Sequence, residues 1–215
     1  MSATLYFTTT SCGAASFIAA HKAGVIGSKV VPVIADIKKK LVLTGSNKGS
    51  DFFKVNPKGN VPALVLSDGK LLNENAATLQ YIADLNPAAK LAPANGTNER
   101  YVLQSKLSFL SSEVHSSVGS LFSAPAGDIR EYFVQKANTK LSYLEKVELP
   151  GKKFLVGDNF TVADSYLYII LSWLQFLNID LATYPVLKSY YENIASLDFV
   201  KEAHAKMAEI AKEAN

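Results

Sequence analysis

The alternation of apolar and polar positions in the first part of the chain predicts strands that alternate with helices. Strands are enriched in Val, Ile, Tyr and Phe, and the first helix is rich in alanine and ends at glycine. Strands are predicted over residues 3–7, 29–35, 63–66 and 70–72, and helices over 12–24 and 74–84. The first strand, helix and strand form a βαβ unit with parallel strands, and a Ser-Asp-Gly turn joins the last two strands. The pattern predicts an α/β domain of order βαβ-ββα over residues 1–87.

Beyond residue 97 the apolar positions have helical spacing. Leu103, Leu107 and Leu110 begin a series at steps of three and four residues, which is typical of an amphipathic helix. The stretch 162–177 is apolar on all sides, as expected for a helix that other helices bury. Residues 88–97 are rich in Pro, Ala, Asn and Gly and are predicted to be a linker. We expect an all-α helical bundle of five or six helices over 98–215.

Composition narrows the classes of protein that fit. With 48% hydrophobic and 19% charged residues, the 215-residue chain can bury a sizeable core. Its net charge of +3 lacks the dense basic surplus of a nucleic-acid-binding protein. The longest apolar run, residues 166–177, is shorter than the roughly 18 residues that span a bilayer, and we expect neither a signal peptide nor membrane association. A single cysteine excludes an intrachain disulfide and favours a reducing compartment, the cytoplasm.

That cysteine, Cys12, lies at the predicted start of the first helix. The helix dipole and free backbone N–H groups would stabilise a thiolate there. The alternative is that Cys12 is a small buried hydrophobic residue. The polar residues around it, 8–13, favour the first interpretation. Ser11 and Tyr6 offer hydroxyl groups that could also hold a bound thiolate by hydrogen bonding.

The start of the second predicted helix is a second candidate site. Its N–H groups would bind an anion, and Glu74 could pair with a substrate ammonium group. Alternatively, Asn73 or Asn75 caps the helix and Glu74 complements its dipole. The histidines at 21, 115 and 204 have no metal-like spacing, so no metal site is expected.

Residues 160–164, Phe-Thr-Val-Ala-Asp, match a capping box in front of an apolar helix. Thr161 is predicted to cap the helix, with Asp164 reaching back to the Thr161 amide. This motif is structural, and its loss should cost about 1 kcal/mol or more.

Several motifs together resemble the cytosolic glutathione S-transferases, most closely the cysteine-bearing beta class of bacteria. The resemblance covers nearly the whole chain. It is carried by residues 11–12, 56–64, 73–74, 80–84, 100–101, 112–115, 121–122 and 156–164. The Asn-Pro-x-Gly-x-Val-Pro block and the Gly-x-x-Phe-Thr-x-Ala-Asp block are the most specific of them. The resemblance implies a thioredoxin-like first domain, an all-helical second domain (the glutathione S-transferase fold) and a homodimer.

The resemblance also implies how the first domain binds glutathione. Pro62 would be a cis-proline that lets the Val61 backbone pair with the cysteinyl unit. Glu74 and Asn75 would hold the γ-glutamyl end, although Ser or Gly is common where Asn75 stands. Lys40 would face the glycyl carboxylate. Glutathione would be a co-substrate, and no cofactor is implied.

For the reaction itself, the resemblance implies that Cys12 can form a mixed disulfide with glutathione. His115 would match a histidine of the second domain that points into the active-site cleft. Ser108 and Ser116 stand where the beta class often has Asn and Lys, which removes a positive charge that would lower the thiol pKa. A short insertion near 24–28 is a further departure from the class.

The expected function is conjugation of glutathione to small hydrophobic electrophiles, with thiol–disulfide exchange through Cys12 as a second reaction. Lowering the pKa of the glutathione thiol would raise the population of the nucleophile at neutral pH. The alternative is a binding protein with the same fold that carries hydrophobic ligands or partners and turns over little.

Overall fold

The computed structural model describes residues 2–214. The chain forms two compact units. The first holds the chain up to Ala92 and again from Leu197, and the second holds Pro93–Ser196. The predicted combination of an α/β unit and a helical unit is confirmed.

One five-stranded sheet organises the first unit. Its strands are β1 (Ala3–Phe7), β2 (Val30–Asp36), β3 (Leu41–Val42), β4 (Ala63–Val65) and β5 (Leu71–Leu72), in the order β3-β2-β1-β4-β5. β1 pairs in parallel with β2, and β4 pairs antiparallel with β5, as the βαβ unit and the hairpin predicted. β1 also pairs antiparallel with β4. The strand β3, which pairs antiparallel with the end of β2, was not predicted. Two residues are too few to show a periodicity of two.

Eight α-helices are present in the described part of the chain. They are α1 (Gly13–Lys22), α2 (Asn75–Leu85), α3 (Asn98–Phe109), α4 (Ser116–Ser120), α5 (Asp128–Tyr143), α6 (Val162–Ser172), α7 (Pro185–Ser196) and α8 (Asp198–Lys212). Two π-helical segments, Leu110–His115 and Leu144–Glu148, continue α3 and α5. None of these helices is long and apolar enough to cross a membrane.

The position of α8 corrects the domain boundary drawn from the sequence. Residues 98–215 were expected to form one helical domain, but α8 packs on α1 and β2 of the first unit. The apolar side of α8, with Val200, Ala203 and Met207, is buried. Polar contacts between α8 and α1 add to this: Glu202 pairs with His21 at 3.3 Å, and the Lys22 ammonium lies over the Phe199 ring. The sequence of α8 shows an apolar stripe on a charged helix, but it does not show on which of the two units that stripe packs.

In the second unit, α6 is buried almost along its full length, and it begins at the predicted capping box. The Asp164 carboxylate is fully buried and accepts hydrogen bonds from the Thr161 N–H at 2.7 Å and the Thr161 hydroxyl at 2.9 Å. Its other oxygen accepts from the Leu155 N–H at 2.6 Å and the Tyr190 hydroxyl at 2.7 Å. Burial raises the pKa of this carboxyl, and the donors around it oppose the shift. Asp164 therefore joins three parts of the unit as well as capping α6.

We expect Asp164→Ala to lower the free energy of unfolding by about 3 kcal/mol or more, because several buried donors lose their acceptor together. Urea unfolding followed by circular dichroism measures the loss. Asp158→Ala, an exposed aspartate in the same loop, is the matched control and should stay within about 0.5 kcal/mol of the parent chain. A loss below about 1 kcal/mol for Asp164→Ala would show that the carboxylate network is not formed.

Candidate functional site

A tight turn leads from β1 into α1 and places Cys12. The Ser11 N–H and the Ser11 hydroxyl both donate to the Thr8 carbonyl, at 3.1 and 2.9 Å. The next residue, Gly13, has no space for a side chain, because a Cβ there would lie 2.9 Å from the Cβ of Phe7, closer than real side chains approach. The absence of a side chain at Gly13 lets α1 begin directly against the end of β1. Cys12 is the residue that caps this helix.

The Cys12 thiol is buried, which fits the alternative interpretation and not the stabilised thiolate that its polar neighbours favoured. Only 8% of the residue is accessible, and its Sγ donates to the Val61 carbonyl at 3.2 Å. Burial raises the pKa of the thiol to about 12, and this outweighs the backbone N–H groups of Cys12 and Gly13, which lower it. The expectation of a depressed pKa is therefore wrong. The N–H groups at the helix terminus lower the pKa of the thiol as predicted, but removal of the sulfur from water raises this pKa by more.

The two hydroxyl groups near Cys12 differ in position. Ser11 is partly buried, and its oxygen also accepts from the Gly13 N–H at 3.2 Å, so it belongs to the turn itself. Tyr6 is buried in an apolar cluster that includes Phe52 and Val61. Its hydroxyl accepts a hydrogen bond from the Asn47 amide at 2.9 Å. The Tyr6 side chain is therefore part of the apolar core of the first unit.

The loop 56–62 carries the Asn-Pro-x-Gly-x-Val-Pro motif and is held together by the fully buried Asn56 side chain. Its amide nitrogen donates to the backbone and side-chain oxygens of Asn60, both at 2.7 Å. Its oxygen accepts from the Lys58 N–H at 3.1 Å and from the Asn73 amide at 2.9 Å. The Val61–Pro62 bond at the end of this loop is cis, as the resemblance implied. Asn56 thus fixes both the loop and the residue two before α2.

Lys40 contacts the same loop. Its ammonium donates to the Gly59 carbonyl at 2.7 Å and lies over the Phe53 ring. Gly59 has a φ of +64°, and a Cβ there would lie 2.7 Å from the Phe53 ring and 3.2 Å from the Lys40 ammonium. Glycine is required at this position on both grounds. Lys38 and Lys39 are exposed, so Lys40 is the lysine of this run that reaches the site.

At the start of α2, Glu74 is the capping residue, but its side chain does not bond the helix amides. Instead its carboxylate pairs with the Lys58 ammonium at 2.5 Å, and both side chains are more than half exposed. Such an exposed pair contributes little stability and is readily exchanged for another partner. The alternative in which Asn73 or Asn75 caps α2 is not what the structure shows, because Asn73 donates to Asn56.

Asn75, the first residue of α2, is buried and turned toward α1. Its side-chain oxygen accepts a hydrogen bond from the Ser16 hydroxyl at 2.8 Å. Its amide nitrogen is buried and has no hydrogen-bond partner among the described residues. This side chain therefore connects two helices instead of capping one.

His115 lies in the second unit, at the end of the π-helical segment that follows α3. Its Nδ1 is 2.6 Å from the Tyr166 hydroxyl, and its ring packs edge-on against Trp173. A Cβ at Gly119 would come within 3.0 Å of the imidazole, so glycine leaves room for the ring. Burial lowers the pKa of His115, which favours the neutral imidazole. The Ser116 hydroxyl donates to the Ser112 carbonyl at 2.6 Å.

The structure joins the candidate residues of the first unit around one loop. Cys12 donates to Val61, Lys40 donates to Gly59, and Glu74 pairs with Lys58. Sequence reasoning missed the roles of Asn56 and Ser16. Asn56 opens the quoted motif, which was a usable signal, whereas nothing near Ser16 distinguishes it from other helical serines. Residues 2–214 contain no group of three or more His, Cys, Asp or Glu able to hold a metal ion.

Comparison with known proteins shows the family to which the chain belongs. The N-terminal domain model of the glutathione S-transferases matches residues 28–85, and the C-terminal domain model matches residues 127–198. Glutathione S-transferase GstA of Escherichia coli O157:H7 is 31% identical over 201 residues, which are 93% of this chain and 96% of that protein. The chain therefore belongs to the glutathione S-transferase family, and it is an enzyme of that family.

Solved structures refine the assignment to a class. A sphingomonad glutathione S-transferase in complex with glutathione is 40% identical, with a TM-score of 0.86 over 95% of this chain and 98% of that one. The beta-class enzyme of Sphingomonas chungbukensis is 38% identical, with a TM-score of 0.85 over 95% and 98% of the two chains. The similarity to the bacterial beta class is thereby confirmed.

The buried thiol predicts slow alkylation of the native protein. With a pKa of about 12, the fraction of Cys12 present as thiolate at pH 8 is about 10³-fold smaller than for a free cysteine. Because Cys12 is the only cysteine, the iodoacetamide rate reports this residue alone. We expect the native chain to react at least about 100-fold more slowly than the urea-unfolded chain. Native and unfolded rates within about tenfold of each other would contradict the burial of the sulfur.

Proposed function

We propose that this glutathione transferase conjugates glutathione to small hydrophobic electrophiles and that the first unit binds the tripeptide around the loop 56–62. The observation that carries the proposal is that Cys12, Lys40 and Glu74 all have their polar partners on this loop. In each case the partner is one that a ligand can replace or share. Lys40 would take the glycyl carboxylate, and the Val61 backbone before Pro62 would pair with the cysteinyl unit.

At the other end of the ligand, Glu74 would exchange Lys58 for the γ-glutamyl ammonium. The γ-glutamyl carboxylate would meet the backbone N–H groups in the first turn of α2, beginning at Asn75. The helix terminus favours an anion there through its dipole and its unbonded donors. The ligand would therefore meet complementary charge at each end.

The high pKa of Cys12 gives it a definite role in conjugation. A thiol that stays protonated at neutral pH is a hydrogen-bond donor, and it can stabilise the glutathione thiolate beside it. Glutathione loses its thiol proton to solvent, its sulfur attacks the electrophile, and the leaving group departs with the bonding electron pair. The Ser11 hydroxyl and nearby backbone N–H groups are further donors. Tyr6 is the least suited of the three proposed side chains, because its ring packs inside the apolar cluster.

Thiol–disulfide exchange is the second proposed activity, and it needs the Cys12 sulfur as nucleophile. The Cys12 thiol loses its proton, attacks a glutathione mixed disulfide and releases the other thiol. A second glutathione then attacks the new Cys12 disulfide, which regenerates the thiol and yields glutathione disulfide. The thiolate fraction limits the first step, so this activity should be slow at neutral pH and rise with pH.

The alternative proposal, a binding protein of the same fold with little turnover, is favoured by one observation. Burial raises the pKa of the Cys12 thiol to about 12, so Cys12 supplies little thiolate at neutral pH. A free thiol also suits a reducing compartment, so we retain the cytoplasm as the proposed location.

Calorimetry with glutathione followed by an aryl-halide assay separates these proposals. We expect micromolar to millimolar binding and measurable conjugation in the parent chain. Cys12→Ala should lower conjugation only modestly, Cys12→Ser should retain most of it, and both should abolish disulfide exchange. Ser11→Ala and His115→Ala, measured beside them, identify whether a hydroxyl or the histidine of the second unit supports conjugation.

Three outcomes would overturn parts of this proposal. Full disulfide exchange in Cys12→Ala would remove the sulfur from the mechanism of exchange. Glutathione binding without turnover of any aryl halide would favour the binding protein, and the absence of binding would exclude both.

We also propose that the chain forms a homodimer through an exposed apolar stripe on the second unit. Val102 and Phe109 are seven residues apart and share one face of α3, and the Phe109 ring contacts Tyr143 edge-on at 5.4 Å. Val147 continues the stripe one turn further. Val102, Tyr143 and Val147 are 49%, 42% and 62% exposed, and contiguous apolar surface of this kind typically marks an interface. A closed twofold dimer is the commonest assembly that covers such a face.

Light scattering at micromolar concentration should give twice the 23.3 kDa mass of one chain. Val147→Asp should shift the equilibrium toward monomer, because it places a charge in the covered stripe. Phe176→Asp, at a residue that is 64% exposed after α6, serves as the control and should leave the mass unchanged. A monomeric parent chain would contradict the proposed dimer.

A further inference from the structure

We propose that the hydrogen bond between Ser16 and Asn75 positions the two helix N-termini of the glutathione site, so that both residues act on binding without touching the ligand. The inference rests on the proposed function and refines it. It assigns the Asn75 side chain a role in positioning the helices in place of a direct contact with glutathione.

The bond joins the beginnings of α1 and α2. Ser16 lies one turn after Cys12, the residue that caps α1, and Asn75 directly follows Glu74, the residue that caps α2. The Ser16 hydroxyl donates to the Asn75 side-chain oxygen at 2.8 Å. A side-chain bond between two first turns restricts how far the two helix termini can move apart.

Both partners are buried deeply enough for this bond to matter. Ser16 is fully buried, and Asn75 is 6% exposed. If this bond broke, neither the Ser16 hydroxyl nor the Asn75 side-chain oxygen could form a hydrogen bond to water in its place. The free-energy cost of leaving both groups unpaired keeps the two helices in this arrangement. At the other ends of these helices, the Asn86 amide, directly after α2, donates to the Ala23 carbonyl, directly after α1, at 2.8 Å. The Ser16–Asn75 bond is the corresponding connection at the N-terminal ends.

The same burial limits what the Asn75 side chain offers a ligand. Its oxygen is engaged by Ser16, and its amide nitrogen lies below the surface. Asn75 can still present its backbone N–H, which is in the first turn of α2. The Asn75 side chain is therefore directed toward α1 and leaves its backbone N–H for a ligand.

A double-mutant cycle tests the inference. Ser16→Ala and Asn75→Ala should each raise the dissociation constant for glutathione about threefold to tenfold, the range expected for loss of one buried hydrogen bond. The double variant should lose no more than the stronger single variant, because both remove the same bond. We expect KM for glutathione to rise in parallel, with kcat at saturating glutathione within about twofold of the parent chain.

Thr78→Val is the matched control. Thr78 is a fully buried residue of α2 whose hydroxyl has no hydrogen-bond partner among the described residues. Its replacement by a side chain of similar shape removes a buried hydroxyl without removing a bond, and glutathione affinity should not change.

Asn75→Ser separates positioning from direct contact. If the side chain at position 75 contacts glutathione directly, Asn75→Ser should retain full affinity for glutathione. If it acts by its bond to Ser16, Asn75→Ser should weaken binding as much as Asn75→Ala does. Full affinity in Asn75→Ser, additive losses in the cycle, or unchanged affinity in Ser16→Ala would each overturn the inference.

Amide hydrogen exchange gives a readout that does not depend on activity. Ser16→Ala should speed exchange of the first hydrogen-bonded amides of α2, those of Ala77 and Thr78, which donate to the Glu74 carbonyl. Asn75→Ala should likewise speed exchange of the first hydrogen-bonded amides of α1, those of Ala14 and Ala15. Unchanged exchange in the partner helix would refute the positioning bond. If the parent chain binds no glutathione, the proposed function fails while this measurement still decides whether the two helix termini are coupled.

Discussion

The buried amide of Asn56 is the interaction on which the candidate site depends. The loop 56–62 has no regular secondary structure, so its polar groups need partners that no helix or sheet supplies. Asn56 provides them by bonding Asn60 within the loop and Asn73 in front of α2. The carbonyl groups that receive Cys12 and Lys40 both lie on the part of the loop that this side chain holds. A single amide thus sets the relative positions of three polar contacts.

The polar groups of the site share one property: each has a partner within the protein, and a ligand can replace or share that partner. Glu74 and Lys58 form an exposed ion pair, and the Cys12 thiol donates to a carbonyl that has a second lone pair. A ligand that brings its own charges and amides meets partners already oriented, and the entropy of ordering them has been lost on folding. The rigid part of the site is the backbone, and the exchangeable part is the side-chain pairing.

Much of the fold was predictable because it depends on local pattern. The long strands β1 and β2, the parallel unit they form and the Thr161–Asp164 capping box all have short-range signals. The features that sequence reasoning missed depend on packing across long distances in the chain. The pKa of Cys12 reflects how completely neighbours remove its sulfur from water, and the position of α8 reflects which apolar face was left uncovered. The Ser16–Asn75 bond joins residues 59 positions apart, a separation at which no motif applies.

The return of α8 to the first unit makes that unit discontinuous in the chain. A cut after Ala92 would leave α1 without the helix that covers it, and it would leave the apolar face of α8 attached to the wrong fragment. A chimaera of two relatives joined at this linker would therefore pack α1 of one parent against α8 of the other. Modules that evolve or are engineered by recombination need to carry residues up to Ala92 together with those from Leu197 onward, which makes single-crossover chimaeras of this chain unfavourable.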